Sequence, residues 1–129
     1  MRLVLVEDSE LVRDCLQRML GQSPGIEVVG QAADEDEAVL VVQRTVPDAV
    51  VLDIALASGS GIGVLERLRN AGYSGCILML TQNSQRFYRE VCRKLGADGF
   101  FDKSAEFTSI VETLVELGGK QRLKLEDVA

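Results

Sequence analysis

Short β-rich runs alternate with helical patterns along the chain, and this alternation limits the fold more than any other feature of the sequence. Strands are expected at Arg2–Val6, Glu27–Ala32, Ala49–Leu52, Cys76–Leu80 and Gly99–Phe101. Several are apolar at consecutive positions, as strands covered on both faces must be. Between and after them lie stretches with apolar residues at helical spacing. Leu11, Val12, Cys15, Leu16, Met19 and Leu20 form the first, opened by Ser9 as a cap and closed by Gly21. Ala38, Val41 and Val42 form the second, behind an acidic turn, Asp34–Glu37, that suits the positive end of a helix dipole. Pro47 stops it. Val64, Leu65 and Leu68 form the third, ended by Asn70-Ala71-Gly72, and Phe87, Val91, Cys92 and Leu95 the fourth, closed by Gly96. Phe107, Ile110, Val111, Leu114, Val115 and Leu117 form the fifth, closed by Gly118-Gly119.

Strand–helix alternation of this kind folds as a parallel sheet joined by right-handed crossovers. The fold class expected is therefore α/β: a (βα)5 doubly wound, five-stranded parallel sheet of order 2-1-3-4-5. A chain of 129 residues makes one domain, and 47% apolar with 26% charged residues suits a packed core. The domain is expected over residues 1–118, with 119–129 a short charged C-terminal tail or linker stub.

Several chemistries are excluded at once. The sequence has no histidine, so it holds no Ser-His-Asp or Cys-His hydrolase, no histidine-ligated metal and no phosphohistidine of its own. Fourteen basic against 20 acidic residues leave a net charge of −6, which disfavours nucleic acid and anionic membrane surfaces as direct partners. No apolar run approaches the ~20 residues that span a bilayer. The N-terminus turns acidic at Glu7, so no signal peptide is expected. Cys15, Cys76 and Cys92 each lie in an apolar pattern, and buried thiols in a reducing cytoplasm are expected.

In a doubly wound sheet, ligands sit beyond the carboxyl ends of the strands, at the switch point between strands 1 and 3. Strand 1 runs into Glu7 and Asp8, strand 3 into Asp53, strand 4 into Thr81, and strand 5 into Asp102 and Lys103. Taken singly, each has a plainer account as a solvated loop charge, a cap or a core residue. Together Glu7, Asp8 and Asp53 with Thr81 and Lys103 place three carboxylates, a hydroxyl and an ammonium on one edge. Oxygen-only ligands point to a hard divalent cation, and a partly aqueous shell points to Mg²⁺. A cation, an ammonium and a hydroxyl around one carboxylate describe a site that receives a phosphoryl group on that carboxylate.

The chain resembles the receiver domains of two-component response regulators, the CheY-like family, over about Met1 to Gly118. Leu5-Val6-Glu7-Asp8, Pro47 to Asp53, Gly61, Leu78-Met79-Leu80-Thr81 and Gly96 to Lys103 carry the resemblance, in order and at strand ends. Gly25–Ala33 and Asp102-Lys103-Ser104 resemble receivers that carry a helix-turn-helix output domain.

The resemblance implies that Asp53 is the phosphoacceptor. It implies that Asp8, Asp53 and the carbonyl of Ala55 bind Mg²⁺ directly and Glu7 through water, and that Thr81 and Lys103 bind phosphoryl oxygens. Phe100 would be the aromatic switch residue that turns inward with Thr81. Small Ala55 would leave space above the phosphate for an attacking water or a phosphatase side chain. Three positions depart from the family pattern: Ala57 and Ser104 stand where prolines are usual, and Phe100 lacks a tyrosine hydroxyl.

The implied function is a phosphorylation-activated cytoplasmic switch that catalyses only its own phosphoryl transfer and dephosphorylation. Its donor would be a histidine kinase or a histidine phosphotransfer protein. Its output would be a downstream protein, a tethered output domain or a dimer formed on phosphorylation. The change would be read on the fourth helix, fifth strand and fifth helix, where Arg86, Tyr88, Arg89, Arg93 and Lys94 give a basic surface. One alternative is a phosphorylation-independent docking module. Another is a nucleotide-binding flavodoxin-like domain, suggested by Gly59-Ser60-Gly61-Ile62-Gly63, although that segment lacks Gly-Lys-Ser/Thr and reads better as a flexible loop.

Overall fold

In the computed structural model, which describes residues 1–82 and 85–128 with side chains through residue 119, strands and helices alternate strictly. Their order is β1 (Arg2–Val6), α1 (Glu10–Leu20), β2 (Glu27–Ala32), α2 (Glu35–Thr45), β3 (Ala49–Leu52), α3 (Gly61–Asn70), β4 (Cys76–Thr81), α4 (Arg86–Lys94), β5 (Gly99–Asp102) and α5 (Phe107–Val128). The five strands form one sheet of order β2-β1-β3-β4-β5, parallel throughout, as expected from the sequence.

Strand periodicity divides the core in two. Val4, Val6, Val50, Leu52, Ile77 and Met79 face α2, α3 and α4, where they meet Ala38, Val42, Val64, Leu65, Leu68 and Cys92. Leu3, Leu5, Val51, Leu78 and Leu80 face the other way, onto Leu16 and Leu20 of α1 and Ile110 and Leu114 of α5. Leu16 and Leu20 are fully buried, and each contributes about 1.5–3 kcal/mol by leaving water.

Side-chain caps start three helices. Ser9 accepts from the Val12 N–H at 3.3 Å, Asp34 from Glu37 at 2.8 Å and Ser60 from Ile62 at 3.1 Å. At the end of α2, Val46 takes a left-handed conformation (φ 45°), costly for a β-branched residue. The Arg2 guanidinium covers that terminus, donating to the carbonyls of Thr45 at 2.5 Å and Val46 at 3.3 Å.

The structure departs from the sequence expectations in four places. β4 and β5 each run one residue further, to Thr81 and Asp102. α5 does not stop at Gly118-Gly119 but continues to Val128. Neither glycine has positive φ, and Gly118 sits where a Cβ would meet Ile26 at 3.0 Å and the Gly25 carbonyl at 3.2 Å. It is a contact glycine, not a stop signal.

The third departure concerns apolar residues assigned to helix stripes. Leu11, Met19, Phe87 and Val115 are 77%, 38%, 69% and 41% exposed, because the buried seam of each helix is narrower than its apolar arc. The cysteines are the fourth. Only Cys92 is buried, Cys76 is half-buried, and Cys15 is exposed, one position off the seam marked by Leu16. Burial pushes the Cys76 thiol up to about 11, and raises Cys92 as well, so both stay protonated at neutral pH.

Candidate functional site

Register assembles the site. Val6 pairs with Leu52, so the next residues, Glu7 and Asp53, emerge side by side at the switch point between β1 and β3. Backbone bonds hold them there: Asp53 N–H donates to Val6 O at 3.0 Å, and Glu7 N–H to Ala32 O at 2.9 Å. Both side chains are buried, while Asp8 is exposed. Glu7, Asp8 and Asp53 each offer a carboxylate oxygen, all within 4.8 Å of one another.

β5 supplies the cation. Lys103 follows Asp102, which pairs with Thr81 of β4, and the Lys103 N–H donates to Thr81 O at 3.0 Å. Its ammonium lies 2.6 Å from Asp53 Oδ2 and 2.7 Å from Glu7 Oε2. Burial alone would lower the ammonium, but the hydrogen bonds to Asp53 and Glu7 and their charges outweigh it, so Lys103 sits above its ordinary value. Burial pushes the Glu7 carboxyl up to about 7, helped by the charge of Asp53 and opposed by hydrogen bonds from Lys103 and Ser9. The Ser9 N–H reaches Glu7 Oε1 at 3.1 Å.

Of the other residues picked out by sequence, Thr81 is buried at the end of β4. Ala55 is exposed, bridges Ser60 in antiparallel fashion, and donates its N–H to Asp53 Oδ1 at 3.3 Å. Phe100 is half-buried against the α2–α4 side of the core. The Arg89 guanidinium lies 4.8 Å from its ring centroid. Asp102 is not brought into the acidic cluster: its Oδ1 accepts from the N–H groups of Ser104 at 2.8 Å and Ala105 at 3.1 Å, fixing the turn into α5.

Sequence reasoning missed two neighbours of this edge. Arg13 donates to the Glu7 carbonyl at 2.7 Å, and Glu106 takes Arg89 at 2.8 Å and the Asp102 N–H at 3.1 Å. Both contacts depend on how helices sit against strand ends, which no local pattern encodes. The glycine run at 59–63 is also explained differently. A Cβ at Gly61 would fall 1.9 Å from the Asp53 carbonyl, and one at Gly63 would fall 2.4 Å from the Glu35 carboxylate. These glycines serve close approaches within the chain.

Three hard oxygen donors, two of them buried and one open to solvent, fit a small divalent cation that keeps water in its shell. Among the described residues no helix is long and apolar enough to cross a membrane.

A doubly wound sheet with a buried aspartate, two further carboxylates and a lysine at its switch point defines a domain of receiver type. The family model of the response regulator receiver domain matches residues 3–115, and the chain belongs to that family. It is 32% identical over 129 residues to the response regulator UvrY of Escherichia coli K12, spanning 98% of this chain and 58% of that one. It is 29% identical over 114 residues to the DNA-binding transcriptional activator EvgA of the same strain, spanning 88% of this chain and 55% of EvgA. The chain thus spans a little over half the length of these relatives. The signal receiver domain of the response regulator NarL from Mycobacterium tuberculosis superposes with a TM-score of 0.83 at 25% identity, over 92% of this chain and 95% of that one.

Proposed function

We propose that Asp53 accepts a phosphoryl group from the phosphohistidine of a partner histidine kinase or phosphotransfer protein, in a reaction that needs Mg²⁺. In this transfer an Asp53 carboxylate oxygen forms a bond to phosphorus while the phosphorus–nitrogen bond to the donor imidazole breaks. The electron pair leaves with the imidazole, which is then neutralised by a proton. Asp8, Asp53 and the Ala55 carbonyl would hold the ion directly, and Glu7 through water. When bound, the ion neutralises charge on the phosphoryl oxygens and on the crowded carboxylates. Lys103, already on Asp53 Oδ2, moves with the transferred group as a point charge, and the Thr81 hydroxyl donates to it.

The observation that carries this reading is the setting of Asp53. It is 3% exposed, at a strand end on the switch point, with an ammonium at 2.6 Å and two more carboxylates within reach. The readout would follow from movement of Thr81 and Phe100, read on α4, β5 and α5 by a downstream protein, by a second copy or by an output domain in a longer regulator. A cytoplasmic setting, where kinases and acyl phosphates meet the protein, suits this chemistry.

The test is intact mass after incubation with Mg²⁺ and acetyl phosphate, and separately with a phosphorylated histidine phosphotransfer protein, beside Asp53→Asn. One phosphoryl group gained by the parent alone, and lost on chelation, is the expected result. No gain from either donor, together with no Mg²⁺ binding, would leave a docking module in place of a phosphorylated switch.

A further inference from the structure

Glu35 opens α2, outside the acidic cluster and on the far side of the loop that joins β3 to α3. Its side chain spans that loop. Oε1 accepts from the Ser60 N–H at 3.0 Å, and Oε2 accepts from Arg67 at 3.1 Å. Its backbone N–H donates to Ser58 O at 3.0 Å, and the Ala57 N–H donates back to Ala33 O at 3.0 Å. The loop therefore meets the start of α2 through three hydrogen bonds from two elements that follow different strands.

The glycines of the loop are shaped around this carboxylate. Gly59 holds φ at 76°, and a Cβ there would lie 2.5 Å from the Glu35 Cβ. At Gly63 a Cβ would lie 2.4 Å from Glu35 Oε1. Two missing side chains and one glutamate occupy the same space, so the three positions act as a set.

The far end of the contact chain is the phosphoacceptor. Ser60, fixed by Glu35, lies opposite Ala55 in an antiparallel bridge held by the neighbouring Gly61 N–H, which donates to Ile54 O at 2.9 Å. The Ala55 N–H donates to Asp53 Oδ1 at 3.3 Å. Gly61 is pressed against the Asp53 carbonyl, which ties the loop's other end to the same residue. We infer that Glu35 is a positioning residue: through Ser60 it fixes Ala55, and so sets the placement of the Ala55 carbonyl and the Asp53 carboxylate for the cation. This inference rests on the reading of the cluster as a Mg²⁺-dependent phosphoacceptor site. Groups hydrogen-bonded directly to metal ligands change affinity by about 10- to 100-fold when removed. Glu35, one contact further back through Ser60, is expected at the low end of that range.

The experiment compares wild type, Glu35→Ala and Glu35→Gln by three readouts: Mg²⁺ titration calorimetry, amide hydrogen exchange at Ala55 and Ser60, and thermal unfolding in chelator. Glu35→Ala is expected to weaken Mg²⁺ binding by roughly tenfold and to speed exchange at both amides. Glu35→Gln keeps an acceptor for the Ser60 N–H and should restore both readouts even though it loses the charge on Arg67. Unchanged Mg²⁺ affinity and unchanged exchange in Glu35→Ala, with only a lower unfolding midpoint, would overturn the inference by making Glu35 a plain stabiliser. Failure of Glu35→Gln to restore exchange would overturn it too. Should wild type bind no Mg²⁺, the reading of the site falls, and the exchange data alone then decide whether Glu35 fixes Ala55.

Discussion

The Lys103 ammonium, carried beyond β5, reaches Glu7 Oε2 at 2.7 Å beyond β1. Two strands, β3 and β4, stand between those two in the sheet, so this one contact draws the outer walls of the site together over Asp53. Both partners are largely buried, the side chains being 13% and 4% exposed, so solvent screens the pair less than a surface ion pair. Lys103→Met would leave Glu7 and Asp53 without the ammonium that holds them. The metal-free protein is then expected to lose about 1–3 kcal/mol at pH 8, with part restored by excess Mg²⁺ through mass action. Urea unfolding in chelator and in Mg²⁺ measures both, and an unchanged midpoint in chelator would refute the argument.

Glu7 gives the metal-free protein an unusual pH profile. Burial lifts its carboxyl from 4.5 to about 7, so the folded state binds this proton more tightly than the unfolded chain does. The sign is opposite to that of an ordinary paired carboxylate. Stability from this group is fully present at the acid end and is lost as pH rises from about 4.5 to about 7. The loss is expected to reach up to about 3 kcal/mol across that window. Glu7→Gln should flatten the profile, as read from unfolding midpoints between pH 5 and 8 in chelator. Lys103 works at the other end: its raised value makes its contribution present below its ordinary value of 10.5 and lost as pH climbs beyond it.

A structural clamp at the opposite end of the strands separates stability from site chemistry. Arg69 donates to the carbonyls of Gly96 at 2.9 and 3.0 Å, Tyr73 at 2.7 Å and Gly75 at 2.9 Å, and to Asp98 Oδ2 at 3.0 Å. Asp98 Oδ2 also takes the Ile77 N–H at 2.8 Å, so one guanidinium ties the end of α3, the start of β4 and the turn after α4. Only a planar fork satisfies acceptors in so many directions. Arg69→Lys is therefore expected to cost about 2–3 kcal/mol, nearly as much as Arg69→Ala, with Mg²⁺ affinity unchanged. A lysine variant as stable as wild type, by chemical unfolding, would contradict this.

Strands and the acidic residues at their ends were legible because their signals are local. Val4, Leu5 and Val6 followed by Glu7 and Asp8, or Val50 to Leu52 followed by Asp53, place a carboxylate at a strand end whatever surrounds it. Parallel pairing then does the assembly, since Val6 opposite Leu52 makes Glu7 and Asp53 neighbours. What stayed hidden is set by contacts between elements. Cys15 and Leu16 differ by one position in an apolar stretch, and only the packing of α1 decides that the first is exposed. The span of Glu35 to Ser60 crosses 25 positions of sequence and depends on two absent side chains. The glycines that end the apolar pattern of α5 misled for the same reason.

Those two glycines differ in what surrounds them, and the difference is measurable. Both lie inside α5, where a glycine costs roughly 1 kcal/mol relative to alanine through backbone entropy. Around Gly119 a Cβ would meet nothing within 4 Å, so Gly119→Ala collects the gain of a better helix former. Around Gly118 a Cβ would press on Ile26 at 3.0 Å and on the Gly25 carbonyl at 3.2 Å, and that backbone oxygen also accepts the N-terminal ammonium at 2.5 Å. The second substitution has to push α5 away from the turn before β2 or distort that turn. Gly119→Ala is expected to raise stability by about 0.5–1 kcal/mol and to deepen the helical circular dichroism signal. Gly118→Ala should show no gain, with a lower midpoint in thermal unfolding. Equal gains from the two variants would mean that α5 does not press on Gly25 at residue 118.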